Sequence, residues 1–504
     1  MADEKPATTA SSPPPEKTAD EESHATTRGG PGKGWMYKSV GLGFIKIPYY
    51  ASPMSQLVLV SFVCFLCPGM FNAVTGLGGA GQLETRDVSK ANTALYSTFA
   101  VVGFFAGSVA NRIGLRLTLF IGGFGYFLYV ASILSYNHNQ NVGFLVFAGA
   151  LLGVCAGCLW TAQGAVMMSY PTEQEKGKFI SIFWIIFNMG AVIGSLVPLL
   201  QNLNSQANAV GNGTYIAFMV LMFCGFILAF GLIESKHVRR LDGSYVITMK
   251  NPSWKSELKG LYQVLRSDYY ILLLFPMFIA SNWFYTYQFN GVNAAKFNIR
   301  TRGLNGVVYY ICQMVGALFY GWILDFRKIR RSIRSQYGLA LLLALTMGIW
   351  GGGYVFQKGY TRADITPDSP RMDFKDSGYI GPMFLYMFYG FYDACFQTYV
   401  YWLMGSLTNN GRKLANFAGF YKGIQSAGAA VTWAVDEAGQ DYVTQFAVSW
   451  GLLTGSILIA IPIVIWKVKD SIDIEEDLKF SDETLEDVAP TAVLENRAGD
   501  TVKA

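Results

Sequence analysis

Charge is scarce in this chain: 14% of its 504 residues are Asp, Glu, Lys or Arg, against roughly 25% in an ordinary soluble domain. Histidine is scarcer still. The three present (His24, His138 and His237) lie in tails or loops, which argues against a histidine-based metal centre or general base. No Gly-x4-Gly-Lys-Ser/Thr loop is present, so a nucleotide-driven pump lacks its phosphate cradle. No arrangement of nucleophile, base and orienting acid emerges, and the reading is of a non-enzyme with no cofactor and no metal. The seven cysteines all fall in apolar runs. Cys64/Cys67 and Cys155/Cys158 each read as C-x2-C, but with no clustered His and only apolar neighbours they read as small packing residues rather than zinc ligands. The net charge of +5 largely reflects the basic loops of the topology set out below, and nothing suggests nucleic acid.

What fills the chain is apolar: 52% hydrophobic and 15% aromatic residues. A helix needs about 20 mostly apolar residues to cross the hydrocarbon core. Twelve such spans are predicted, near 55–76, 91–110, 115–135, 142–169, 179–201, 215–234, 269–290, 304–324, 335–356, 379–404, 413–435 and 443–466. The 54 glycines suit close packing between membrane helices. The expected fold class is therefore an all-α, polytopic membrane protein with the lipid bilayer as its first partner.

The expected organisation is a disordered cytoplasmic tail and interfacial segment at 1–50, a six-helix bundle at 51–234 and a cytoplasmic connector at 235–268. A second six-helix bundle follows at 269–466, then an acidic disordered tail at 467–504. The start carries no cleavable signal pattern, so the first span is expected to act as the insertion signal. With the N-terminus placed in the cytoplasm, the inner loops and span edges hold 18 Lys and Arg and the outer ones nine. The positive-inside rule then puts both termini in the cytoplasm, at the plasma membrane or an endomembrane. Asn212-Gly213-Thr214 is a glycosylation sequon, weak because it lies close to the predicted membrane edge.

A repeat organises the spans. Phe71-Asn72-Ala73-Val74 recurs as Phe289-Asn290-Gly291-Val292, Tyr96/Gly103 as Tyr309/Gly316, and Gly107-x3-Asn111 as Gly321-x3-Asp325, at offsets of 218, 213 and 214 residues. Three matches in order at a nearly constant offset indicate a duplicated membrane unit, and duplicated bundles commonly hold a central cavity.

The turn G-S-V-A-N-R-I-G-L-R at 107–116 and its counterpart G-W-I-L-D-F-R-K-I-R-R at 321–331 resemble the signature loop of the major facilitator superfamily. Gly107, Gly114 and Gly321 allow close backbone approach, while Arg112, Arg116, Arg330 and Arg331 can reach helix C-termini or carboxylates as a cytoplasmic latch. Asn111 stands where the family usually has an acid; Asp325 keeps it. The stretch from Trp160 to Gly190, with Phe71–Gly78, resembles a narrower group, the Unc-ninety-three-like branch described as ion-channel regulatory proteins. The resemblance covers roughly 50–465 and implies twelve helices in two six-helix halves, with spans one, four, seven and ten around a cavity.

The halves are not equivalent. Phe183-Trp184 with Asn188 matches Phe420-Tyr421 with Gln425 at offset 237, yet Lys422 faces Ile185 in that register and Asp393 has no acidic partner in span four. An isolated charge at the helix centre costs about 2.5–3.5 kcal/mol on insertion scales. Asp393 and Lys422 are therefore expected to pair, with Gln397 and Gln425 on the same helical faces. Either Asp393 takes up a proton or cation, or the pair is a structural lock. Gln163, Asn188, Asn72, Asn282, Gln288 and Asn290 add uncharged groups to the candidate cavity, and breaks are expected at Pro68-Gly69 and Pro276. Two functions stand: a secondary transporter of a small solute or ion by alternating access, proton- or cation-coupled, or a non-transporting regulator or trafficking partner of another membrane protein.

Overall fold

In the computed structural model, the described residues are 34–42, 45–82, 85–103, 105–171, 176–204, 207–240, 246, 259, 262, 265–266, 268–326, 328–408 and 411–470. The tails before residue 34 and after 470, and most of the connector, lie outside the described residues. Twelve helices follow in order among those described: α1 (Pro53–Gly76), α2 (Arg86–Val102), α3 (Ala106–Asn139), α4 (Val142–Ser169), α5 (Lys176–Gln201), α6 (Asn212–Leu228), α7 (Phe275–Trp283), α8 (Ile299–Leu324), α9 (Arg331–Gln357), α10 (Ile380–Leu407), α11 (Gly411–Glu437) and α12 (Tyr442–Trp466). A short antiparallel hairpin, β1 (Val40–Leu42) with β2 (Ile45–Ile47), precedes them in the expected interfacial segment. The protein is an all-helical membrane bundle of twelve helices in two halves.

Local chemistry sets the helix ends. Ser52 accepts from the Ser55 amide, with Pro53 where a missing N–H costs nothing. Asn141 caps α4, Asn298 caps α8 and Asp441 caps α12 in the same way. Eight helices are each long and apolar enough to span a membrane; the short α2 and α7, tyrosine-rich α10 and polar α11 are not among them. Asp393, Lys422 and Asp436, described below, lie on two of these four, α10 and α11.

The break expected at Pro68-Gly69 is present, and the one in the seventh span is differently placed. α1 widens into a π-helical turn at Phe65–Gly69, around Pro68. Pro276 instead sits in the first turn of α7, just past the 3-10 turn Tyr269–Leu274, and the π-helical segment of that span is Tyr287–Ala294. α3 is kinked at Gly114, whose φ of +81° suits a residue without Cβ.

Each half has its own apolar core, one running from Tyr49 to Val246 and the other from Ile271 to Val468. Ala191 joins the second core and Ile299 the first, so the halves interlock at these points. Within each half the matched helices approach through glycine. A Cβ on Gly149 of α4 would lie 2.4 Å from the Ala91 carbonyl of α2, and one on Gly390 of α10 2.3 Å from the Tyr309 carbonyl of α8. Twelve helices in alternating direction place the start of α1 and the end of α12 on one side, here called the terminal face. The opposite, distal face carries the 358–379 loop.

Candidate functional site

Asp393 lies mid-way along α10, fully buried. Its Oδ2 accepts hydrogen bonds from the Tyr285 hydroxyl (2.7 Å), the Tyr309 hydroxyl (3.2 Å) and Gln313 Nε2 (2.6 Å). Gln397, one turn on, donates Nε2 to Oδ1 at 2.7 Å. Four uncharged donors from α8, α10 and the segment after α7 thus surround one carboxylate. The Tyr309 hydroxyl also faces Gln288 Oε1 at 3.0 Å, and one phenolic proton serves only one acceptor at a time.

Lys422 of α11 does not pair with Asp393. Its Nζ donates to Gln425 Oε1 at 3.1 Å and lies 5.4, 5.7 and 5.8 Å from the ring centroids of Tyr421, Tyr401 and Trp160. The expected ion pair fails because depth along two helices does not fix their rotation. The carboxylate is satisfied by neutral donors, whereas the ammonium meets one amide oxygen and three π faces. Between them runs a neutral relay: Gln425 Nε2 donates to the Tyr421 hydroxyl (3.1 Å), which faces Gln397 Oε1 at 3.5 Å. The structure therefore brings Asp393, Gln397, Gln425 and Lys422 into one network. Trp160 belongs to α4, so Lys422 touches the first half of the molecule.

The other candidates scatter. Gln163 is buried beside Met167, its Nε2 3.3 Å from the sulfur. Asn188 is buried in α5, outside the network, and the Asn282 side chain is half-buried. Asn72 takes part through its backbone carbonyl, which accepts from the Tyr310 hydroxyl at 2.6 Å. Asn290 leaves the cavity altogether and joins a distal seal. Asn212 begins α6, with its oxygen accepting from Asn137 at 2.6 Å and its amide nitrogen 3.1 Å from a His138 ring nitrogen.

The turns on the terminal face make matched tethers. Arg116 donates to the Leu232 carbonyl (2.7 Å), just past α6, and Arg331 to the Lys469 carbonyl (2.6 Å), just past α12. Ser332 adds two bonds to Asp470, and these hold the exposed Asp470 carboxyl below the ordinary carboxylate range. Gly107 and Asn111 lie in the first turn with their backbone alone described, and Arg112 is exposed there. Gly321 has open space around it. In the second turn Asp325 ends α8, exposed, and Arg330 precedes α9.

Sequence reasoning missed a polar layer on the distal face. Asp436, at the end of α11, accepts from the Ser89 hydroxyl of α2 (2.8 Å), Asn290 Nδ2 (2.7 Å), Gln445 Nε2 (3.1 Å) and Arg362. Asn290 in turn accepts from the Gly79 amide at 2.8 Å. Arg300 pairs with Asp373 at 2.6 Å, both buried, and reaches the Leu203 carbonyl at 2.7 Å. Burial alone would raise the Asp373 carboxyl, but hydrogen bonds from Arg300, the Lys375 amide and Asn298 outweigh it and hold it below its usual range. Arg302, equally buried, donates to the carbonyls of Phe297, Ala294 and, across the halves, Gln82. Several of these bonds join the two halves and close the distal face. Their signal was present as charges at span ends, where loops and gates look alike.

These features define a two-half helical membrane bundle with a polar site in mid-membrane and a seal at one face. Residues 57–435 match the Major Facilitator Superfamily. A UNC93-like protein of Schizosaccharomyces pombe is 50% identical over 457 residues, covering 90% of this chain and 89% of that one. UNC93-like protein 1 of Arabidopsis thaliana is 44% identical over 427 residues, covering 84% and 92%. Among solved structures, the E. coli xylose transporter XylE, in a partially occluded inward-open conformation, superposes with a TM-score of 0.56 at 13% identity, covering 82% of this chain and 96% of that one. The chain belongs to the major facilitator superfamily, in its UNC93-like branch.

Proposed function

We propose that this protein is a secondary transporter of a small solute, working by alternating access with Asp393 as its proton-coupling group. The termini lie in the cytoplasm and the distal face outside, in keeping with the excess of basic residues on the terminal face. The observation that carries the reading is a buried mid-membrane carboxylate with four neutral donors and, among the described residues, no cationic partner. A structural lock would compensate such a charge with Lys422; leaving it uncompensated is costly unless the charge changes during the cycle. Protonation is accommodated without rearranging helices. A neutral Asp393 donates to the Tyr309 oxygen, and the Tyr309 hydroxyl turns to Gln288 Oε1, 3.0 Å away. The two amides facing the carboxylate present N–H groups, which suit an anion alternating with a proton better than a bound metal cation. The sealed distal face supports the mechanism, since alternating access requires one face closed while the site communicates with the other.

The test compares solute and ion contents of cells lacking the protein, complemented with the wild type or with Asp393→Asn at equal surface level. The expected outcome is that Asp393→Asn fails to restore the missing flux and that the wild-type flux depends on the pH gradient. Full restoration by Asp393→Asn removes the coupling role. Reproducible co-purification of a channel, with no flux from reconstituted vesicles, replaces transport with regulation.

A further inference from the structure

Lys422 has an unfinished coordination shell. An ammonium carries three N–H donors, and this one has a single oxygen partner, Gln425 Oε1 at 3.1 Å. The rest of its surroundings are the faces of Trp160, Tyr401 and Tyr421 at 5.4–5.8 Å. The side chain is half-buried, as are Trp160 and Tyr401, although all three sit deep in their helices where the halves face each other. Asp393, the carboxylate it was expected to meet, is already occupied by four donors. An ammonium with unused donors, at an interior surface where no described residue pairs an anion with it, presents a positive site walled by flat rings.

We propose that Lys422 recognises the carboxylate of a small organic anion whose planar, apolar body lies between Trp160 of the first half and Tyr401 and Tyr421 of the second. The charge selects the anion: the two free N–H groups reach its oxygens in charge-assisted bonds, while a cationic solute meets like charge with no compensating acid. The walls select the body. Trp160 is braced edge-on by Phe187 at 5.4 Å and 88°, and Tyr421 by Tyr401 at 5.0 Å and 86°, so the ring faces are held in place before a ligand arrives. The inference rests on the transport reading for its purpose, but the site is testable by binding alone.

Purified full-length protein in detergent is titrated with radiolabelled benzoate in a scintillation proximity assay, with benzyl alcohol, benzylammonium and acetate as competitors. Benzoate is expected to bind saturably, with the other three at least about tenfold weaker, the loss of one charge-assisted contact or of the ring stacking. Lys422→Gln is expected to lower benzoate affinity about tenfold or more, and Lys422→Arg, which keeps the charge, to retain it within about threefold. Gel-filtration profiles matching the wild type establish that both variants are folded. The proposal is overturned if benzylammonium competes as well as benzoate, if folded Lys422→Gln binds benzoate like the wild type, or if the wild type shows no saturable benzoate binding. Benzoate binding lost in Lys422→Gln but kept in a flux-dead Asp393→Asn protein upholds this site whatever becomes of proton coupling.

Discussion

Replacing Asp436 by Asn should open the distal face, and the size of the effect follows from the partners of one carboxylate. All four groups around Asp436 are donors: Ser89 Oγ, Asn290 Nδ2, Gln445 Nε2 and an Arg362 guanidinium N–H. A carboxylate offers only acceptors, whereas an Asn side chain offers one acceptor oxygen and an NH2 group. At least one of the four bonds therefore becomes donor facing donor, and the charge on the others is lost. The bond to Ser89 is the one that joins α11 to α2 across the halves. A hydrogen bond to a charged group contributes about 1.5–3 kcal/mol, so weakening it should shift the closed-to-open ratio roughly tenfold to a hundredfold. Spin labels at the exposed positions Asn139 and Lys358, in a background without the native cysteines, read this as a distance distribution across the distal face. Asp436→Asn should add a longer-distance population. Gln445→Leu removes a bond within the second half only and should lower thermal stability without that population. If Asp436→Asn stays monodisperse and its distribution matches the wild type, the seal does not depend on this carboxylate.

Gly78 has a φ of +74°, and a Cβ there would lie 2.1 Å from the Phe289 carbonyl oxygen of the other half. Gly78→Ala should leave a folded protein with its distal face pushed apart, seen as faster thiol labelling of a cysteine at Ser89. Gly390→Ala, which meets the Tyr309 carbonyl within one half, should instead reduce the yield of monodisperse protein; equal behaviour of the two variants would refute the distinction. The depressed Asp373 carboxyl contributes stability that is fully present above the unfolded pKa, about 4, and is lost as pH falls through the lower folded value. Hydrogen exchange at Phe374 and Lys375, corrected for intrinsic rates, should therefore show constant protection over about pH 5–8 and loss only below about 4. Loss of protection between about 5 and 7 would show that some other group controls the loop. Any pH dependence of transport in the neutral range then belongs to a site other than the Arg300–Asp373 pair.

Much of the fold was legible because a bilayer imposes one simple demand, a long apolar run per crossing, and because the duplicated Phe-Asn-x-Val strings marked equivalent positions. The site was legible only where spacing along one helix decides proximity. Gln397 follows Asp393 by one turn and Gln425 follows Lys422 by three residues, and both pairs are bonded. Contacts between helices were not legible. Asp393 and Lys422 sit on neighbouring spans yet face different partners; Tyr309 stood out only as a repeat position, and nothing tied Tyr285 or Gln313 to Asp393 in a chain with 29 tyrosines. The repeat also did not fix roles: Asn72 and Asn290 occupy equivalent positions, but the first bonds Tyr310 through its backbone carbonyl and the second joins the seal through its side chain. Arg300, Arg302 and Asp436 lie at span ends, where hydropathy reads any charge as solvated.

The tethers from Arg116 to the end of α6 and from Arg331 to the end of α12 have a mechanical consequence. Each ties the second-to-third turn of a half to that half's last helix, as a hoop closes a barrel, and a hooped bundle bends less than an open one. Work done at the membrane centre is then not absorbed as internal shear. It is delivered to the seam between two stiff bodies. Trp160 belongs to one of these bodies and Lys422 to the other, so their contact lies on that seam and feels any tilt between the two.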